Sequence, residues 1–396
     1  MGGLAILRLN TLIMRNFRNY QEAKISFNPQ LNLILGDNAQ GKTNLLEAIA
    51  YLSLGSSFRE QGDDKLRKQG EEFFFLRAEY SNKNGAHLLS VGSQSAHGNN
   101  GGAHNRRLWK RDDKPCRKVS EIAGLLHTVV FTPEDLQLVK SAPEVRRKFL
   151  DREMVQLFNG YYLYLNNYRR ALQQRNNLLK QLDFVQSPAA KAQTDEQLAV
   201  WEEQLAENGA VIIKRRLQLL QLLNETGQKI QAELTNDREQ LRLQYLSVWP
   251  AAEIESCSLE ELKEKLRQKY LAGRAEDKRR RTTLHGPHRD DFRIYINETE
   301  GRYYASQGQQ RTAALALKLS ELELVWQLSG YYPLLLLDDV FSELDKNRRQ
   351  ALLRLMLGKA QIFITATEIA GELQALRPDD YQLFVVRHGS LNESLK

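Results

Sequence analysis

Residues 31–53, LNLILGDNAQGKTNLLEAIAYLS, decide the fold of this chain. LNLIL reads as a short apolar strand, and helix signals run from Gly41 to about Ser53. Between them Gly36-Asp37-Asn38-Ala39-Gln40-Gly41-Lys42-Thr43 matches G-x-x-x-x-G-K-[ST]. The two glycines let the backbone curl so that its amides converge on phosphate oxygens at a helix N-terminus. Lys42 is then placed to reach the β- and γ-phosphates, and Thr43 to ligate Mg²⁺. A chance glycine-rich turn predicts neither the strand before the motif nor the helix after it.

Two further motifs lie far downstream. Leu334-Leu335-Leu336-Leu337-Asp338-Asp339 is an apolar strand ending in carboxylates, the Walker B pattern. Asp338 is placed to hold the water shell of Mg²⁺ and Asp339 to polarise an attacking water. Ser306-Gln307-Gly308-Gln309-Gln310-Arg311 opens a helix, where Ser306 and the Gly308 amide favour an anion.

The rest of the chain divides by pattern. LAILRLNTLIM and EAKISF are strand-like, and residues 73–118 read as a β-meander with a turn at Asn84-Gly85. HGNNGGAH at 97–104 reads as a loop, its two His lacking a neighbouring carboxylate or Cys. From 144 to 274 apolar residues recur at helical spacing, with capping boxes expected at Thr194/Gln197 and Ser258/Glu261. This stretch is expected to be an all-helical insertion. DFRIYIN and GRYYA then suggest a hairpin, followed by a helix at 309–328, PLLLLDD, a helix near 346–357 and QIFITAT. An apolar run, a helix and another apolar run is the rhythm of a parallel α/β core. The fold class is therefore α/β: an ATPase head formed by residues 1–143 and 275–396, with a helical arm at 144–274.

Composition narrows the class. The chain has 396 residues, 42% apolar and 27% charged, with a net charge of +7. No stretch approaches the ~20 apolar residues of a membrane span. Cys116 and Cys257 stand alone, so no zinc ribbon or redox dithiol is encoded. The basic balance favours a polyanionic partner.

The order of these motifs resembles the ABC-type ATPases, with SQGQQR as the signature and Ser342-Glu343-Leu344-Asp345 as the D-loop. The long interval between Lys42 and Asp338 resembles SMC-like members, which carry a helical insertion there. RNFRN at 15–19, GDNAQGKTNLLEAI at 36–49, GSSFR at 55–59, HGPHRDDF at 285–292, SQGQQR and LLLDDVFSELD at 335–345 together resemble the RecF family. The likeness runs from about residue 5 to 388.

The resemblance implies a cytoplasmic ATPase using ATP and Mg²⁺, dimerising head to tail on ATP so that each signature meets its partner's nucleotide. It implies Lys42, Asp338 and Asp339 as catalytic residues. Residues 36–43, Ser306, Gly308, Gln309 and Asp345 would contact nucleotide. Duplex and single-strand/double-strand junction DNA, RecO, RecR and, indirectly, RecA are the implied partners, in repair and replication restart. Asp339 stands where most ABC enzymes have Glu, implying slow turnover. Thr365-Ala366-Thr367 replaces the switch His, and the Q-loop function falls to Glu134 or Gln137. The alternatives are an SMC-like structural clamp, against which the short arm argues, and a transporter motor, against which the insertion argues.

DNA candidates are Arg106, Arg107, Lys110 and Arg111, within a basic run to Lys118 that includes Trp109 as a base-stacking platform. Arg59 is a further candidate, facing nucleotide or DNA. Arg146–Lys148 and Lys278–Arg281 are further basic clusters. His285, His288, Asp290 and Asp291 resemble a metal nuclease set, but no further carboxylates support it.

Overall fold

The computed structural model describes residues 6–59, 62–97, 103–116, 121–122, 124–158, 160–181, 187–374, 377 and 380–393. They form two compact units. The first comprises Met1–Gln137, Glu233–Thr235 and Ala314–Lys396, and the second Leu138–Ala232 and Asn236–Ala313.

The first unit opens with β1 (Arg8–Phe17), β2 (Tyr20–Ser26), β3 (Leu31–Leu35) and α1 (Lys42–Leu54). β4 (Phe73–Asn82), β5 (Gly85–His97), β6 (Ala103–Arg111), β7 (Lys114–Cys116) and β8 (Thr128–Phe131) follow. The meander expected at 73–118 forms, and joins β1 and β2 in an antiparallel sheet of order β2-β1-β4-β5-β6-β7. Its turns carry the required chemistry: Asp112 and Asp113 between β6 and β7 both take positive φ, as tight hairpins demand. Residues 98–102 of the expected loop lie outside the described residues, as do Arg117 and Lys118.

The second unit contains α2 (Pro143–Leu157), α3 (Tyr161–Gln181), α4 (Pro188–Thr235, whose last three residues pack with the first unit), β9 (Leu241–Leu246), α5 (Ala251–Ser256) and α6 (Leu259–Arg280). β10 (Asp291–Ile296), β11 (Thr299–Glu300) and α7 (Gly301–Tyr304) follow. Four expectations are corrected here. The stretch at 144–274 is not all helix, because β9 lies within it and pairs with β10, Leu241 opposite Ile296 and Leu246 opposite Asp291. That pairing draws residues 275–313 into the second unit, so the boundary falls at Ala313 and not at 274. The Asn297-Glu298 turn closes the hairpin at once, so its second strand is Thr299–Glu300 and GRYY coils into α7. α4 starts at Pro188, which suits a first helical position, so Thr194 lies inside the helix and not at its start. The capping box at Ser258/Glu261 forms in full.

α8 (Gln307–Ser329) leads back into the first unit. There β12 (Leu334–Asp338), α9 (Val340–Glu343), α10 (Lys346–Met356), β13 (Ile362–Ala366), α11 (Gly371–Gln374), β14 (Tyr381–Arg387) and β15 (Ser390–Glu393) complete the chain. The second large sheet has the order β15-β14-β3-β13-β12-β8, parallel except for β15. β12 is buried along its length, as its unbroken leucine run requires. α1 contacts strands of both sheets and buries residues around its whole circumference. The strand order places β13 between β3, which feeds the glycine-rich loop, and β12, which ends in Asp338. Among the described residues no helix is long and apolar enough to cross a membrane.

Candidate nucleotide site and basic surfaces

The loop after β3 wraps the Lys42 ammonium, which donates to the carbonyls of Gly36 at 2.8 Å and Asp37 at 3.3 Å. The same ammonium lies 3.9 Å from Asp339 Oδ1. Thr43 Oγ1 donates to Asp338 Oδ1 at 2.8 Å, so the two motifs meet across 295 positions of sequence. Burial pushes the Asp338 carboxyl up, aided by Asp339 and opposed by the Thr43 and Thr365 hydroxyls. A threonine hydroxyl beside a buried carboxylate is a donor set of hard oxygens, which fits Mg²⁺.

Thr365, on the central strand β13, ties the acids together. Its hydroxyl donates to Asp338 Oδ1 at 2.8 Å and accepts the Asp339 amide at 2.9 Å. Thr365 is fully buried, and its hydroxyl is engaged by both acids. Asp339 itself takes a left-handed backbone (φ 50°) at the start of α9.

Three further segments pack on the loop and on α1 from outside. Asn19, in the turn between β1 and β2, donates to the Gln40 carbonyl at 2.7 Å and accepts from Asn44 at 2.9 Å. The turn between β14 and β15 donates the Gly389 amide to the Gln40 carbonyl and the His388 amide to Gln40 Oε1. Gly389 has φ 73°, and a Cβ there would lie 2.2 Å from the Asn19 carbonyl oxygen. Arg18 makes a two-point ion pair with buried Glu47 at 2.8 Å, and Ser57 also bonds Glu47. RNFRN and GSSFR thus converge on α1. Arg59 donates to Asn44 Oδ1 at 3.1 Å, and its charge lowers the proton affinity of Asp338, so it stands at the nucleotide loop.

The remaining motif residues are placed as follows. Ser306 and Gln309 form a reciprocal capping box: the Gln309 amide donates to Ser306 Oγ at 3.2 Å, and Gln309 Oε1 accepts the Ser306 amide at 2.9 Å. Gly308 lies in the first turn of α8, its carbonyl accepting from Thr312. Asp345 caps α10 through the Arg348 amide at 3.0 Å. Glu134 and Gln137 are both exposed beyond β8.

The basic run splits by strand alternation. Trp109 is buried, its ring stacked on Tyr51 of α1 at 5.9 Å, so it offers no platform to a base. Arg107 shares that inward face, held by buried Asp63 through two contacts of 2.6 Å. Its charge is therefore spent on the fold. Arg106 is exposed and Lys110 half-buried on the other face, while Arg111 sits 3.7 Å from Asp112. In the second unit Lys278 pairs with Asp195, and Arg279 and Arg280 with Glu276. The nuclease reading fails: His288 bonds Tyr168 and the Thr283 carbonyl, Asp290 bonds Tyr245, and Asp291 bonds Arg146. Among the described residues no cluster could hold a metal through three His, Cys or acidic ligands.

Residues 8–376 match the model of the RecF/RecN/SMC N-terminal domain. A DNA replication and repair protein RecF of Symbiobacterium thermophilum is 41% identical over 97% of both chains. The one from Halalkalibacterium halodurans is 38% identical over 98% of this chain and all of its own. Among solved structures, the recombination mediator protein RecF-ATPrS in the RecFOR pathway aligns with TM-score 0.86 and 36% identity, over 99% of this chain and 100% of that one. The Smc head domain of Pyrococcus furiosus aligns at TM-score 0.52 and 14% identity, over 98% and 95%, a likeness of fold alone. With its phosphate loop, its Walker B acids and a signature helix in one sequence order, the chain belongs to the RecF family of SMC-type ATPases.

Proposed function

We propose that the chain is an ATP-dependent DNA-binding protein of recombinational repair and replication restart, and a slow ATPase. The observation that carries this reading is the meeting of Thr43 with Asp338 and of Lys42 with Asp339, across nearly 300 positions of sequence, beside the glycine-rich loop. The RecFOR description of its solved relative supports the pathway.

The residues divide the work. Lys42 exchanges the carbonyls of Gly36 and Asp37 for phosphate oxygens, leaving neutral partners for charged ones. Thr43 and Asp338 would hold Mg²⁺, which supplies charge neutralisation at the β- and γ-oxygens when bound. Asp339 accepts a proton from water as that oxygen bonds to the γ-phosphorus and the bond to the bridging oxygen breaks, giving ADP and phosphate. Thr365 holds both acids in place. In an ATP-induced head-to-tail dimer, the segment at Ser306, Gly308 and Gln309 and the Asp345 loop face the partner's nucleotide. Nucleotide is then the bridge between two copies, and hydrolysis opens it. The dimer binds duplex and junction DNA at gaps and, with RecO and RecR, promotes RecA loading in the cytoplasm.

Fluorescence anisotropy on a gapped duplex without nucleotide, with ADP and with ATP tests the reading. Wild type tightens with ATP and loses affinity steeply with salt, whereas Lys42→Met shows no ATP effect. Absence of DNA binding at moderate salt in both proteins rejects it.

A further inference from the structure

α3, in the second unit, differs from its neighbour α6 in charge. Its 21 residues, Tyr161–Gln181, contain no Asp or Glu. α6 has five acids in 22 residues and neutralises its own cations: Arg267 pairs with Glu264, and Arg279 and Arg280 with Glu276. Pairs three and four residues apart of this kind make a solvated face. α3 has no such partners within itself.

One side of α3 is built into the unit. Leu165, Tyr168 and Arg175 are buried, and Arg175 is tied to Glu202 and Asp277. That row fixes the other face, on which Tyr162, Asn166, Arg169, Arg170, Gln173 and Asn177 recur at helical spacing and are all exposed. Asn166, Arg170, Gln173 and Asn177 make no side-chain hydrogen bond or ion pair with any described residue. Arg169 reaches Asp151 at 3.3 Å, but that carboxylate already holds Arg216 at 2.8 Å and Tyr161 at 2.9 Å, and Arg169 is 61% exposed. An exposed pair of this kind holds its arginine weakly. On α4, Glu202 serves Arg175 and Arg274, and Glu203 serves Lys263. Lys180 has Asp183 three positions on in sequence and stays outside the site. The face thus presents two guanidinium groups among three amides, all able to donate. From Asn166 to Asn177 it runs ~16 Å at 1.5 Å per residue, several phosphate steps of one DNA strand at ~3.4 Å each.

We infer that this face of α3 binds the sugar-phosphate backbone of DNA, with Arg169 and Arg170 each on a phosphate and the amides of Asn166 and Gln173 donating to neighbouring oxygens. The inference rests on the DNA-binding reading above and adds a contact surface in the second unit. Charge complementarity selects the occupant: the face carries cations and donors and no acid. Exposed Leu163 adjoins it, but polar side chains fill the rest, and a stable protein interface is built around an apolar centre.

The test uses the full chain with ATP on a gapped duplex across a salt series, comparing wild type, the double variant Arg169→Ala/Arg170→Ala, and Arg279→Ala on α6. Both α3 arginines are exposed and Asp151 keeps two other donors, so the double variant folds, which thermal unfolding checks. The slope of log affinity against log salt falls by about two in the double variant, and affinity at fixed low salt falls about ten- to a hundredfold. Arg279→Ala, which removes a cation already paired with Glu276, leaves both unchanged. If wild type binds DNA and the double variant keeps its slope, the inference is overturned and the DNA-binding reading stands. If wild type binds no DNA, both fall. If Arg279→Ala lowers the slope as much per charge as the double variant, the effect is one of net charge and the assignment to α3 is overturned. If the double variant keeps its DNA slope but loses self-association with ATP in sedimentation velocity, the face receives a second copy of the chain and the DNA assignment is overturned.

Discussion

Thr365 Oγ1 lies 2.8 Å from Asp338 Oδ1 and accepts the Asp339 amide at 2.9 Å. One hydroxyl on the strand between the two nucleotide motifs therefore sets the position of both acids. Thr365→Val removes both hydrogen bonds while nearly keeping the volume. ATP turnover falls on the order of 10- to 100-fold, as for other residues that orient a metal ligand, with ATP affinity much less affected. Thr365→Ser restores most of the rate. Steady-state hydrolysis beside equilibrium nucleotide binding checks this, and equal losses in both variants reject it.

Gly389→Ala forces a Cβ against the Asn19 carbonyl and a residue with a side chain into φ 73°. The strained backbone costs about 1–3 kcal/mol. Because the same turn holds Gln40, ATP affinity falls together with stability. Denaturant unfolding and nucleotide titration measure the two losses.

Arg106 and Arg107 are neighbours in sequence with opposite tasks. Arg107→Ala leaves the buried Asp63 carboxylate with only the Tyr51 and Ser93 hydroxyls as donors, costing about 1–3 kcal/mol. Arg106→Ala leaves the melting temperature unchanged and lowers the salt slope of DNA binding by about one. A melting curve and an anisotropy series on both variants separate the roles.

His288 and Asp290 act on stability in opposite senses. Burial lowers the His288 imidazole to about 4, so the unfolded chain binds the extra proton, and stability rises with pH between about 4 and 6.5. Burial raises the Asp290 carboxyl to about 6, so the folded chain holds the extra proton, and stability falls as pH rises from about 4 to 6. Each effect is about 3 kcal/mol, and they nearly cancel. Asp290→Asn removes one side. Its stability relative to wild type increases across pH 4 to 6, read by denaturant unfolding at each pH; a constant difference between the proteins rejects the pairing.

The nucleotide loop was legible because phosphate binding imposes a fixed spacing on Gly36, Gly41, Lys42 and Thr43. Asp338 and Asp339 were legible because a leucine run ending in acids has few other uses. Thr365 was not, since its importance comes from strand order, which places β13 between β3 and β12 and leaves no local mark. β9 did leave one: Leu241, Leu243 and Tyr245 alternate in burial along LRLQYL. The long helical pattern before it hid that signal. In the basic run, charge density masked the same alternation, which buries Trp109 against Tyr51 and sets Arg107, on the same strand face, against buried Asp63.

The bond from the His388 amide to Gln40 Oε1 spans 348 positions. Translation releases Gln40 early and His388 late, so during synthesis at ~5–20 residues per second the loop waits tens of seconds for its clamp. A nascent chain halted before β14 carries every glycine and the lysine of the nucleotide motif yet lacks the parts that shape it. The geometry of the loop at Gln40 is therefore completed only once the turn between β14 and β15 has been made.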